Sequence, residues 1–213
     1  MIKVNEIFKS IQGEGSFAGK LCSFVRLTGC NLRCSYCDTK YAYEKGDDLS
    51  IEEIVRKVKM LGPNLVEITG GEPLLQKQTI ELIATLIKQK YIVLIETNGT
   101  IGIKNINQHA IIILDLKCPG SKMSVNTLWK NIEYLRKKDE VKFVIGDRKD
   151  YDWAKDIAEK YNLNQRVNSV HFSPVYGKLV PKKLVEWICH DNLDVRMQIQ
   201  IHKYIWGPDA RGV

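Results

Sequence analysis

Ser50-Ile-Glu-Glu-Ile-Val-Arg-Lys-Val-Lys-Met-Leu-Gly-Pro-Asn-Leu-Val-Glu-Ile-Thr-Gly-Gly-Glu-Pro73 is the stretch on which the fold turns. Ser50 with Glu53 forms a capping box, the apolar periodicity then runs to about Leu61, and Gly62-Pro63 stops the helix. Leu65 to Thr69 follows as a short strand rich in Val and Ile, and the chain leaves it through the polar loop Thr69-Gly-Gly-Glu-Pro73. Helix, strand and a polar loop at the strand's carboxyl end make up the repeating unit of a parallel α/β sheet.

Working outward, the same unit recurs. Strands are expected at Cys22–Thr28, Ile92–Glu96, Ile111–Asp115, Val141–Ile145, Val170–Phe172 and Val195–Ile201. Helices are expected through Ile80, Ile83, Leu86 and Ile87, through Leu128, Ile132 and Leu135, and through Trp153, Ile157 and Tyr161. A last one starts with Pro181 in its first turn and continues through Leu184 and Ile188. No repeat or linker breaks the chain, so residues 1–213 read as a single domain. The fold class expected is α/β, a partial TIM-like barrel of alternating parallel strands and helices, short of the full eight strands.

Composition bounds the partners. At 44% hydrophobic and 27% charged, the 213-residue chain has material for a sizeable core, which excludes a disordered tail or a fibre. The longest apolar runs, Ala110–Leu114 and Tyr91–Ile95, fall far short of the ~18 residues that cross a bilayer, and the first residues do not resemble a secretory leader. A cytoplasmic protein without a membrane partner is expected. Thirty-two basic against twenty-five acidic residues gives +7, which attracts anions in general. The lysines fall mostly on outer helices with no aromatic-interleaved basic stripe, so no nucleic-acid partner is expected.

In such folds ligands gather at the carboxyl ends of the strands. The chemically unusual residues of this chain sit there. Cys30, Cys34 and Cys37 follow the first strand, Thr69–Pro73 the second and Thr97-Asn98-Gly99 the third. Asp115-Leu116-Lys117 follows the fourth, Ser173-Pro174 the sixth, and His202-Lys203 lies near the end of the last. His202 reads equally as a substrate contact or a packed histidine, and Asn98 equally as a cofactor contact or an ordinary turn residue.

Six cysteines are too sparse for a disulfide scaffold. Cys22, Cys118 and Cys189 stand alone, but Gly29-Cys30-Asn-Leu-Arg-Cys34-Ser-Tyr-Cys37-Asp38-Thr39 puts three thiols on one loop. A structural zinc site wants four protein ligands, and no second pair follows. A [4Fe-4S] cubane held by three thiolates keeps one iron open, and the amino and carboxylate groups of S-adenosylmethionine can chelate it. The stretch Gln12-Gly13-Glu14-Gly15 adds side chains able to hydrogen-bond an amide-like heterocycle edge, with glycines that allow close approach.

Cys30-x3-Cys34-x2-Cys37, with Tyr36 before the last cysteine, resembles the motif of the radical S-adenosylmethionine superfamily, and Thr69–Pro73 with Gly71 and Glu72 resembles the segment that holds the cofactor's methionine end. With Glu6–Gly19, Phe24–Leu27, Asp115–Lys117, Ser173-Pro174 and Gln200–Trp206, the whole chain resembles the 7-carboxy-7-deazaguanine synthase family of queuosine and deazapurine biosynthesis. That resemblance implies a lyase converting 6-carboxy-5,6,7,8-tetrahydropterin to 7-carboxy-7-deazaguanine with loss of ammonia. It implies cluster ligation by Cys30, Cys34 and Cys37, and Mg²⁺ bound by Thr39. It also implies that Gln12, Gly13 and Glu14 face the pterin, with Arg26, Thr69, His202 and the Val213 carboxylate as further substrate contacts. Tyr36, Asp38, Gly71, Glu72, Asn98, Asp115, Leu116, Lys117 and Ser173, Pro174, Val175 and Tyr176 are implied around the cofactor.

A homodimer and an electron donor such as flavodoxin or ferredoxin are implied as partners. The compact spacing between the first two cluster cysteines departs from family members that carry an insertion there. Two other readings remain. One is a glycyl-radical activase, against which the Gln12–Gly15 segment and the His202–Trp206 tail argue. The other is a basic zinc-stabilised nucleic-acid module, which predicts tightly bound tetrahedral zinc and no S-adenosylmethionine.

Overall fold

A computed structural model describes residues 1–213. The chain opens with β1 (Ile2–Ile11), β2 (Leu21–Leu27), β3 (Asp47–Leu49) and α1 (Ile51–Leu61), then β4 (Leu65–Gly70), α2 (Thr79–Lys88), β5 (Ile92–Thr97) and β6 (Ile111–Asp115). It continues with β7 (Glu140–Ile145), α3 (Arg148–Lys160), the single turn α4 (Leu163–Arg166), β8 (Ser169–Pro174), α5 (Pro181–His190), β9 (Arg196–Met197) and α6 (Ile201–Trp206).

The nine strands form one sheet in the order β3-β1-β2-β4-β5-β6-β7-β8-β9. From β2 to β9 all neighbours are parallel. β1 pairs antiparallel with both β2 and β3. The sheet is not closed into a barrel, and between its β1 and β9 regions runs the loop after β1. There Gly15 N donates to Gln198 Oε1 at 2.7 Å and Ile201 N donates to Gly13 O at 3.1 Å. No helix is long and apolar enough to cross a membrane.

The local signals around Ser50 hold. Ser50 Oγ accepts from Glu53 N at 3.2 Å, and the Glu53 carboxylate accepts from Ser50 N at 2.8 Å. α1 buries Ile54, Val55 and Val58, and Gly62, at φ +99°, ends it. α2 buries Leu82, Ile83 and Leu86, and Pro181 occupies the first turn of α5. These helices cover one side of the sheet. There the alternate strand residues Val25, Leu27, Val66, Ile68, Val93, Ile95, Leu114, Val141 and Phe143 join the main apolar core.

Three elements differ from the sequence reading. Ile2–Ile11, where no strand is expected above, forms β1, and its Phe8 stacks on Phe24 of β2 at 5.0 Å between centroids. The helix expected around Leu128–Leu135 is a 3₁₀ run, Trp129–Tyr134. Buried Asn131 ties that run to the preceding loop by donating to Gly99 O and Ile101 O and accepting from Ile103 N, so tertiary bonds replace a full helical turn. The last expected strand keeps only Arg196–Met197. Beyond it the Gln198 and Gln200 side chains turn to the loop after β1, and Ile201 opens α6 instead of continuing the ladder.

Candidate active site

One cavity of about 630 Å³ opens on the inner side of the sheet at the carboxyl ends of its parallel strands. Earlier along the strands, at the positions that face away from the helices, lies a small apolar cluster, Cys22, Phe24, Leu65, Leu94 and Ile113, of which Phe24 lines the cavity. Beyond that cluster the same register continues as Arg26, Glu67, Thr69, Glu96, Asp115 and Lys142. Strand periodicity therefore puts a charged wall directly after an apolar stretch.

The cysteine loop leaves the end of β2. It is held by Glu72 N donating to Gly29 O at 2.8 Å and by Ser35 Oγ donating to Gly120 O at 2.8 Å. Cys30, Cys34 and Cys37 are free, half-buried and on the cavity wall. Burial pushes the Cys30 and Cys34 thiols up, opposed at Cys30 by the Leu32 amide and at Cys34 by Lys117. Gly71 lies against this loop so closely that a Cβ there would collide with Gly29 O and Cys30 Cβ. Glu72 is fully buried. It accepts from Leu74 N at 2.9 Å, Asn98 N at 2.7 Å and Thr97 Oγ1 at 2.9 Å, so it joins the Gly-Gly loop to the end of β5.

The residues present fit a [4Fe-4S] cluster with S-adenosylmethionine. Three free thiols stand on one loop facing open space, and no three His, Cys, Asp or Glu side chains close around a single ion. On the same wall the buried Asp115 Oδ1 has no hydrogen-bond partner, while Asp115 Oδ2 takes Lys117 Nζ at 2.7 Å. A buried acceptor without a donor is costly unless something supplies one.

At the far end of the cavity the loop after β1 presents Gln12, Gly13 and Glu14. Gln12 Nε2 donates to Glu67 and Gln12 Oε1 accepts from Glu14 N at 3.0 Å. Glu14 bonds Lys142 Nζ at 2.8 Å and Gln200 Nε2 at 2.8 Å. Burial by itself would raise Glu14, but Lys142 and the Gln200 amide overcome it and bring its pKa down to about 2. A Cβ on Gly13 would strike the His202 ring, which accounts for a glycine there. Arg26 is oriented by Glu6, its Nε donating to Glu6 Oε1 at 2.7 Å, and the same oxygen takes Tyr41 OH at 3.1 Å. The terminal nitrogens of the guanidinium remain for a ligand.

The tail closes the mouth. Pro208 to Val213 line the cavity, and the Arg211 guanidinium sits 4.1 Å from the Tyr41 ring centroid. Lys203 Nζ bonds Asp38 Oδ2 at 2.5 Å, and against the desolvation that would raise it Lys203 holds the Asp38 carboxyl well below the usual range. Thr39 Oγ1 donates to Asp38 Oδ1 at 2.9 Å.

Most of the residues singled out from sequence come together on this wall: Gln12, Gly13, Glu14, Arg26, the three cysteines, Tyr36, Asp38, Thr39, Thr69, Gly71, Asn98, Asp115, Lys117, Val175, Tyr176, His202 and Val213. Four do not line it. Glu72 is taken up by the loop just described. Leu116 points into the main core, and Ser173 and Pro174 are buried at the end of β8. Sequence reading missed Glu67, Glu96 and Lys142 on the cavity wall, Glu67 and Lys142 buried and Glu96 partly buried. The signal was a charge at an inward-facing strand position, single in β4 and β5 and, for Lys142, two positions after Glu140 in β7.

The model of the radical SAM superfamily matches residues 24–188. The chain is 42% identical over its whole length to the 7-carboxy-7-deazaguanine synthase of Koribacter versatilis (strain Ellin345), covering all of that protein. It is 43% identical over its whole length to the synthase of Chlorobaculum tepidum, covering 97% of it. Among solved structures, QueE from Escherichia coli superposes with a TM-score of 0.76 over 94% of each chain at 24% identity, a likeness of fold.

Proposed function

The chain belongs to the radical SAM superfamily and, within it, to the 7-carboxy-7-deazaguanine synthase family, and on that premise we propose that it converts 6-carboxy-5,6,7,8-tetrahydropterin to 7-carboxy-7-deazaguanine with loss of ammonia. The observation that carries the reading is one cavity with a three-thiol loop at one end and a Gln12–Glu14 hydrogen-bonding edge at the other. A [4Fe-4S] cluster with S-adenosylmethionine, when bound, supplies the reducing electron and the hydrogen-abstracting radical chemistry.

The protein's part is to bind and orient. Cys30, Cys34 and Cys37 hold the cluster, and Gly71, Tyr36, Asp115 and Lys117 line the cofactor's space. Arg26, pre-set by Glu6, offers its remaining fork to the substrate carboxylate. Gln12 and Glu14 take the nitrogen-rich pterin edge, and Thr69 and His202 flank the ring. Thr39 Oγ1, beside Asp38, is the protein oxygen offered to Mg²⁺, which tolerates a shell completed by substrate and water. The Pro208–Val213 tail excludes water from the ring and brings Val213 to the wall.

Support for a single functional domain lies in the one sheet that runs through the chain. A homodimer, a flavodoxin- or ferredoxin-like donor and a reducing cytoplasmic setting follow from the family and complete the proposal. The test is anaerobic incubation of the reconstituted protein with the carboxylated pterin, S-adenosylmethionine, Mg²⁺ and a reductant, followed by mass spectrometry. Appearance of 7-carboxy-7-deazaguanine is expected. Cleavage of S-adenosylmethionine with the pterin left intact rejects the assignment.

A further inference from the structure

The cavity wall carries more carboxylates than ammonium groups to balance them. Glu14 enters from the loop after β1, Glu67 from β4, Glu96 from β5 and Asp115 from β6. Asp115 has a cation of its own in Lys117. Glu14 and Glu96 share one, Lys142 of β7, whose side chain is only 8% exposed. It bonds Glu14 at 2.8 Å and Glu96 more closely still. Asp115 Oδ2 lies 3.9 Å from the same ammonium, beyond hydrogen-bond range, so Lys142 donates to two carboxylates and faces a third.

Other charges facing this cluster are committed elsewhere or nearly neutral. Arg26 is bound to Glu6, Asp38 to Lys203, and burial lowers His202, which stands beside Glu14. Glu67 has no ammonium in contact, only the Gln12 amide, and burial pushes its pKa well up. A carboxylate this deep stays charged only while a cation touches it.

The substrate reading above, on which this inference rests, presents the wall with a row of ring N–H donors. Those donors need acceptors free of protons. We propose that Lys142 is a positioning residue that acts through Glu14 and Glu96, holding Glu14 as a charged acceptor and fixing Glu96 beside it for the nitrogen edge of the pterin. It does not itself touch the reacting atoms.

The test is calorimetric titration of the carboxylated pterin into cluster-loaded, S-adenosylmethionine-bound enzyme from about pH 6 to about pH 9, a range around neutrality that spans the titration of a carboxylate raised by burial. Wild type is expected to give a flat affinity profile. Lys142→Met is expected to bind roughly ten- to a hundredfold more weakly at the acid end, the loss expected when a hydrogen bond to a charged group is removed. It recovers toward wild type as Glu14 and Glu96 lose their protons at the alkaline end. Lys142→Arg restores the flat profile, which a merely space-filling role would not require. Pterin affinity of Lys142→Met within about twofold of wild type at every pH, well under the effect of one charged hydrogen bond, overturns the proposal.

Should Lys142→Met not fold, the charge-balanced pair Lys142→Met with Glu96→Gln leaves Glu14 without its cation and carries the same expectation. Infrared difference spectra of the ligand-free proteins read the effect separately. On acidification the Met variant is expected to gain a carboxylic-acid band beyond the one that buried Glu67 gives in both proteins, and the absence of that extra band overturns the inference. A wild-type chain that fails to bind the pterin overturns the substrate reading, while the infrared result still decides the role of Lys142.

Discussion

The two faces of the sheet are made from the same strands and carry opposite chemistry. On the helix side Val66, Ile68, Val93, Ile95, Val141 and Phe143 pack into one continuous core. On the cavity side their alternate neighbours are Glu67, Thr69, Glu96 and Lys142, and a five-residue apolar cluster on the same face reaches the cavity through Phe24. Parallel strands covered on both faces normally read as unbroken apolar runs. Here the interruptions mark where the sheet faces an open cavity instead of helices. One face holds the fold together and the other is kept polar for chemistry, at a cost in stability that the first face offsets.

The largest effect tests the cavity face at its metal end. Cys30→Ala, Cys34→Ala and Cys37→Ala each abolish turnover and lower the iron and sulfide content after reconstitution. Retained product formation in any one of them contradicts the three-thiolate assignment. The helix face comes next. Leu82→Ala, a fully buried α2 residue, lowers stability by about 2–5 kcal/mol in denaturant titration while leaving pterin affinity unchanged. A shift in affinity there would show that the two faces are not separable.

Arg26→Ala does the reverse. It weakens binding of the carboxylated pterin by roughly ten- to a hundredfold, the worth of a charge-assisted hydrogen bond, with a smaller change in stability. Unchanged affinity removes Arg26 from the substrate contacts.

The smallest effect concerns the charge that has no cation. Burial raises Glu67, so the folded chain keeps a proton that the unfolded chain releases above its ordinary pKa of 4.5. The native state therefore binds more protons than the unfolded one in that window, and stability falls as pH rises through it. Glu67→Gln mimics the protonated acid and removes this decline. The melting temperatures of variant and wild type converge near the ordinary carboxylate pKa and separate at mildly alkaline pH, by about 2–4 °C for each kcal/mol. Parallel profiles for the two proteins would show that Glu67 is ionised in the fold.

The helix face was the more legible in sequence because periodicity and caps report burial directly. The Ser50–Glu53 box, the Gly62 stop and the Val- and Ile-rich strands from β2 to β8 appear where their patterns put them. β1 was lost because its burial pattern is irregular and its end merges into the Gln12–Gly15 glycines. The 3₁₀ run Trp129–Tyr134 was read as a helix because its apolar spacing is helical. Its actual geometry is set by Asn131, whose partners lie about thirty positions earlier in the chain.

On the cavity face, the cysteines and the Gly-Gly loop were visible because their spacing is itself chemical. Glu67, Glu96 and Lys142 were passed over because a charge or two in a strand carries no spacing to read. Their meaning comes from parallel neighbours, Asp115 opposite Lys142 and Glu96 opposite Ile113, which only the register supplies.

The segment from Gly13 to Ser16 both lines the cavity, through Gly13 and Glu14, and bridges the unclosed sheet, through Gln198, the Ile201 amide and the Glu140 carboxylate. The shape of the cavity and the integrity of its wall thus depend on the same short segment. An engineer who wished to retune this scaffold for a larger heterocycle would have to rebuild the seam at the same time, because exchanging the segment for selectivity alone would unlatch the vessel that holds the reaction.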